Sequence, residues 1–401
     1  MRILLLAIVV VISFAQNLEV IKYISNKKPQ VFVEYHHLPI QLQQMLTKDT
    51  ELISHYDIKL KHTLNPITSS IDPNEYQGYN YLLRLDFNKN VLTAILFDLL
   101  KHKTVMYKRY RIPTFDIYPF MIHTLSYDIN SKLGFKPVKW LKRKIIYSVY
   151  MGPKSQSIFL ADITFTYRKK IISGGLNIFP KWANQNQTEI YYTKLSRQPV
   201  LYKYNIQTGK KERILSSKGM LIVSDVKGDN LLLTLAIDDQ PDIYEYNIKT
   251  KKLTRLTKYI GIDVNGQFYD NDKIVFISDR LGYPNVYQKD LDNGVVSKLI
   301  YHGKNHISVT AHKEQVVVSS RETNKALDNN TFNLLLINKN SDFVKRLTFG
   351  GKNMMPIFSQ DGTTLLFIKE FKFNSKFGIM RLDENKVFYF KISRKIQSFD
   401  F

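Results

Sequence analysis

At 401 residues, 44% hydrophobic and 23% charged, the chain has room for two separate cores and is unlike disordered or fibrous compositions. It contains no cysteine, which excludes a disulfide framework and lipid attachment through an N-terminal Cys, and domains of this size can rely on their cores alone. The formal charge of +23 is spread along the chain without an arginine-rich arm, so it reads as a compositional bias with weak attraction to anionic envelope surfaces, not as a nucleic-acid interface.

In chain order, Arg2, the apolar run Ile3 to Ile12 and Ser13-Phe14-Ala15 have the pattern of a secretory signal, with cleavage expected after Ala15. The run is about half the roughly 20 residues of a membrane span, so the mature protein, starting at Gln16, is expected to be exported and not membrane-embedded. Strands are predicted over Leu18 to Ile24 and Gln30 to Glu34, then a helix over Pro39 to His55 with Leu42, Met45, Leu46 and Ile53 at near-helical spacing. Further strands are predicted over Asp57 to Thr63, Tyr79 to Phe87, Leu92 to Phe97 and Thr104 to Arg111. A second helix is predicted over Asp116 to Leu133, stopped by Gly134. Helices on one face of a small mixed sheet make residues 16–135 an α/β domain.

Residues 136–401 carry a repeat. A strand, a polar turn and a second strand recur with anchors at Phe159, Tyr202, Tyr244, Tyr287, Leu335 and Ile379, spaced by 43, 42, 43, 48 and 44 residues. Two further strands precede each anchor, as in Lys273-Ile274-Val275-Phe276-Ile277, and a tight turn is written in Ser359-Gln360-Asp361-Gly362. Four short strands per unit at this period specify a propeller blade, and six copies specify an all-β six-bladed β-propeller around a channel. The extra length of the fifth unit falls in the polar stretch Glu322 to Thr331, read as a surface loop. The last blade is expected to be closed by a strand from the N-terminal side of the repeats or by Lys386 to Ile392.

Particular stretches carry a resemblance. Pro119 to Tyr150, with His123, Tyr127-Asp128, Lys132-Leu133-Gly134 and Arg143-Lys144-Ile145-Ile146-Tyr147, resembles the passage from second helix to first blade in the TolB family of the Tol–Pal system. The family's Pro-aromatic blade motif is similar to Pro356-Ile357-Phe358-Ser359-Gln360-Asp361-Gly362 and, in half, to Phe179-Pro180-Lys181-Trp182; Ile277 to Tyr287 resembles its link into the third strand. The motif is missing from the units beginning near Gly219, Gly261 and His302. The resemblance implies a monomeric periplasmic adaptor that binds the Pal lipoprotein over the channel mouth and TolA through its mature N-terminal segment. It also implies a part in outer-membrane integrity, constriction at cell division and protein transport, with no cofactor.

The loops leading into the innermost strands name the expected Pal surface: Gly175, Asn177, Met220, Asp263, Lys304, Asn305, His306, Lys352, Asn353 and Met354. They combine glycines, orienting polar groups and apolar contacts; the plain alternative is an ordinary turn. The N-terminal segment, with Gln16, Leu18, Glu19 and Ile21, is either a strand of the α/β sheet or a dockable strand. His302, His306 and His312 have no carboxylate placed as a fourth ligand other than Glu314 and read as polar loop histidines, so no metal site is expected. No Gly-x-Ser-x-Gly, His-Glu-x-x-His or Gly-Lys-Ser/Thr motif occurs, which argues against catalysis. A propeller binding a small ligand or glycan in its channel is the second reading; the Gly-, Lys- and Asn-rich loops suit a protein surface better.

Overall fold

The computed structural model describes residues 28–64, 66–68, 70–270, 272–321, 331–338 and 343–401, and of Lys304 the backbone alone. The signal, the segment Gln16 to Ile24 and all but the last residue of the Glu322 to Thr331 loop lie outside these residues. The chain forms two compact units: the described part of residues 1–115 with Asp128–Pro137, and Asp116–Tyr127 with Val138–Phe401.

The first unit is a five-stranded sheet built from β1 (Gln30–His36), β2 (Asp57–His62), β3 (Tyr81–Asn88), β4 (Val91–Asp98) and β5 (Lys103–Arg111), in the order β2-β1-β3-β4-β5. β1 runs parallel to β2 and β3, whereas β3, β4 and β5 are antiparallel. The parallel β1–β2 pair needs a crossover, and helix α1 (Ile40–Ile53) supplies it. The residues spaced for a helical face, Leu42, Met45, Leu46 and Ile53, are all buried. One face of the sheet buries Val31, Val33, Leu83, Leu85, Ala94 and Leu96; β4 alternates with period 2, whereas the central residues of β1 and β3 are buried on both faces. On the other face Arg84 Nε meets Glu34 at 2.9 Å and Tyr76 donates to the same carboxylate at 2.8 Å. Helix α2 (Tyr118–Lys132) begins later than expected because Phe115–Ile117 forms a 3-10 turn. Gly134 ends it at φ 83° with Phe135 N–H donating to Asn130 O, an arrangement open to a residue without Cβ.

In the second unit six antiparallel four-stranded blades follow one another. The inner strands are Ile396–Asp400, Leu176–Trp182, Leu221–Lys227, Asp263–Tyr269, Lys304–His312 and Lys352–Phe358 for blades 1 to 6. All six anchors lie on the third strand of their blade, and in blades 1 to 5 each faces Lys or Arg on the fourth: Lys170, Arg213, Arg255, Lys298 and Arg346. Apolar clusters form between neighbouring blades. One joins Tyr191 and Leu201 of blade 2 to Val223 and Leu233 of blade 3; another joins Val317 and Leu334 of blade 5 to Phe358 and Phe367 of blade 6. A single blade has two apolar faces and nothing to cover them, so burial is completed only by stacking.

Of the two expected routes for the last blade, the structure takes the second, and ring closure is a separate event at blade 1. Lys386–Ile392 is the outer strand of blade 6, paired with Ser375–Arg381. Ile396–Asp400 instead becomes the inner strand of blade 1, pairing with Ile146 to Val149. Phe399 and Phe165 of that blade pack on Phe377 of blade 6, with ring centroids 4.9 and 4.7 Å apart.

Candidate functional site: the propeller mouth and channel

Each inner strand carries a β-bulge, marked by a register shift against its neighbour. The bulges re-aim side chains into the channel and free backbone N–H groups from the ladder. Channel-side N–H groups of the inner strands, Phe179 and Met355 within bulges and Phe268 and Ala311 beyond them, donate to the preceding blade: Phe179 to Ser398 Oγ (3.1 Å), Phe268 to Asp225 Oδ2 (2.9 Å), Ala311 to Gln267 Oε1 (3.0 Å) and Met355 to Ser308 Oγ (3.0 Å). Pro180 and Pro356 sit in two of these bulges, where a missing N–H costs nothing. The family motif thus marks bulge geometry, and the units that lack the proline make a bulge with Ser224, with Asn265-Gly266 and around Asn305 to Ile307.

The channel is lined by inner-strand residues from all six blades and encloses about 170 Å³. Ligand pockets typically span about 300–1,000 Å³, so a glycan has little room inside. Towards the ends of the inner strands, Lys181 meets Asp400 at 2.9 Å while Trp182 N–H donates to the same carboxylate at 2.8 Å. Burial opposes the charge on Lys181, but Asp400 and Asp225 outweigh it and raise its pKa. These three residues are far apart in sequence and escape a motif search.

In an antiparallel blade the start of the inner strand, the turn between second and third strands and the end of the fourth lie on one side. The parallel contacts Gln156↔Leu176 and Phe332↔Lys352 bring the third-strand start of one blade beside the inner-strand start of the next. We call this side the leading face. The loop residues expected there divide into two groups. Gly175 and Met220 are exposed, the Lys352 side chain is 36% exposed, and Asn305 and Met354 are half-buried. The backbone of Lys304 starts its strand on the same side.

Asn177, Asp263, His306 and Asn353 are instead fully or almost fully buried and are corrected from contact residues to interior ones, three of which, Asn177, Asp263 and Asn353, staple the turns. Asn353 Nδ2 donates to Phe332 O (3.0 Å) and Gly350 O (3.1 Å), and Asn177 Nδ2 repeats this with Gln156 O (3.1 Å) and Gly174 O (3.3 Å). Asp263 accepts both bonds of Arg280 at 2.9 Å. His306 is buried within the strand that Lys304 begins and is no loop histidine; desolvation pushes its pKa down to about 4. A turn that positions a strand inside a blade must satisfy its own carbonyls, and the Asn177 and Asn353 amides do so.

Other exposed side chains join the mouth. Ile260, Tyr301 and Phe349 precede inner strands and Phe373 lies in a turn between second and third strands; they are 92, 76, 69 and 76% exposed. Glu370 lies between Lys352 (3.5 Å) and Lys395 (3.4 Å). A signal for part of this set was present in sequence, since Ile260-Gly261, Tyr301-His302-Gly303 and Phe349-Gly350-Gly351 place a large apolar residue just before the loop glycine. The second candidate region, Gln16 to Ile24, lies outside the described residues. No helix among the described residues is long and apolar enough to cross a membrane.

With this geometry in place, comparisons with known proteins converge. Residues 140–388 match the family model of the TolB beta propeller domain. A Tol-Pal system protein TolB of Helicobacter hepaticus is 37% identical, covering 99% of this chain and 98% of its own length. The Tol-Pal system protein TolB of Campylobacter jejuni is 41% identical over 90% of this chain and 93% of its own. The crystal structure of TolB from Acinetobacter baumannii shares the fold with a TM-score of 0.77 over 93% of this chain and 96% of its own, at 19% identity. Relatedness therefore spans both units and agrees with the architecture: the chain belongs to the TolB family of Tol–Pal system proteins.

Proposed function

We propose that the chain is a periplasmic, non-catalytic adaptor that binds Pal on the leading face of its propeller, and TolA through the segment beginning at Gln16. The observation that carries this reading is the exposed set Met220, Ile260, Tyr301, Phe349 and Phe373 around a mouth that also presents Lys352. Exposed apolar groups with a polar rim are the composition of a protein-binding patch. Membership of the TolB family supports an envelope partner within the Tol–Pal system, and the narrow channel weighs against a small-molecule ligand. In this role the monomer links envelope components during constriction and supports outer-membrane integrity and protein transport.

The test is isothermal titration of the mature protein with soluble Pal, beside Met220→Asp and Lys352→Glu variants. Binding weakened at least about tenfold by both, or roughly 1.4 kcal/mol, is the expected result. Equal affinity in all three would place the Pal surface elsewhere.

A further inference from the structure

The first unit holds a cluster that the adaptor role does not use. His36 is the last residue of β1 and His37 follows it. Adjacent residues of a regular strand point to opposite faces. His37, however, takes φ 51°, so the chain leaves the strand and the second ring turns back, bringing the two ring centroids to 3.6 Å. Asp86 is the register partner of His36 on β3. Its Oδ1 lies 3.6 Å from Nδ1 of His36 and 3.3 Å from Nδ1 of His37.

We propose that His36, His37 and Asp86 form a binding site for a divalent transition-metal ion of the zinc class. Ligand atoms about 2.1 Å from a tetrahedral ion lie roughly 3.4 Å from one another, and both Nδ1–Oδ1 distances are close to that edge. All three ligand atoms fall within 4.8 Å of one another. Two imidazoles and a carboxylate suit zinc, nickel or copper, whereas calcium and magnesium favour all-oxygen shells. The side chains are 28, 64 and 26% exposed, which leaves room for a fourth, exchangeable ligand such as water. Lys89, Arg109 and Arg111 line the groove beside Asp86, so a cation here is held by chelation and not by a diffuse acidic surface. A hydrogen bond between His37 and Asp86 without metal affinity is the competing account.

The test uses the mature full-length protein, with calorimetric Zn²⁺ titration and the visible spectrum of the Co²⁺ form. The expected result is one equivalent of Zn²⁺, a tetrahedral Co²⁺ spectrum, and affinity reduced at least about tenfold in His36→Gln, His37→Gly and Asp86→Asn. His312→Gln should leave binding unchanged. Gly adopts φ 51° freely, so His37→Gly decides the matter even where a thermal melt shows another variant to be unfolded. Unaltered binding in folded His37→Gly, no Zn²⁺ uptake by the wild type, or displacement of Zn²⁺ by equimolar Ca²⁺ would each overturn the proposal.

Discussion

Blade 1 and blade 3 have the same four strands but different provenance. Blade 3 is one continuous stretch from Leu221 to Arg255, whereas blade 1 takes its inner strand from Ile396–Asp400 and its other three from Ile145–Ile172. Blade 3 can pair its strands through short turns as soon as they exist. Blade 1 is incomplete until the whole ring has formed, and the loop-closure entropy of joining the chain ends falls on this one sheet. Closure is reinforced accordingly: the short inner strand carries Phe399 against Phe377 and Asp400 against Lys181 and Trp182. Shared architecture thus hides unequal dependence on distant sequence.

The comparison breaks most sharply on removing Ile396–Phe401. Blade 1 would lose its pairing with Ile146 to Val149 and its contact with blade 6, and loss of cooperative thermal unfolding in calorimetry is expected; removing Tyr301 and His302 from the loop before blade 5 should cost far less. Asp400→Ala comes next. It leaves Lys181 without its nearest carboxylate and Trp182 N–H without its acceptor, with an expected loss of about 3 kcal/mol in denaturant unfolding. A loss below about 1 kcal/mol would show that closure does not rest on this contact.

His306 sharpens the contrast inside a continuous blade. Its folded pKa of about 4 lies below the ordinary value of 6.5. The unfolded chain therefore takes up a proton first, and stability that is fully present above pH 6.5 is lost as the pH falls towards 4. The loss reaches about 2 kcal/mol by pH 5. His306→Asn should flatten this slope in chemical denaturation at pH 7 and pH 5. Asn stands near the start of the inner strand in blades 2 and 6 as Asn177 and Asn353. An unchanged slope would assign the pH dependence to other groups. The smallest effect on stability is expected for Lys352→Glu, within about 0.5 kcal/mol because the side chain is partly exposed, while Pal binding falls.

Much of the fold was legible because its signals are local and repeated. The six anchors were found by spacing, and each lies on a third strand; the apolar faces of α1 and the stop at Gly134 followed from helical periodicity and backbone freedom. The mouth was legible only in outline. Reading Asn177, Asp263, His306 and Asn353 as contact residues failed, because a polar residue beside a loop glycine can serve the partner or the turn, and burial decides between them. The same limit hid the His36–His37–Asp86 cluster, since strand alternation separates neighbouring histidines until a positive φ reunites them.

The period, the blade number, the α/β unit ahead of the propeller and the family were legible in the bare chain, because strand alternation, turn chemistry and repeat length are properties of short segments. Long-range packing set the rest: that Ile396–Asp400 closes the ring, that bulges and not prolines shape the channel, and which polar groups face inward. These are pairings between residues tens to hundreds of positions apart, and burial and hydrogen-bond satisfaction acquire a value only once both partners are in place.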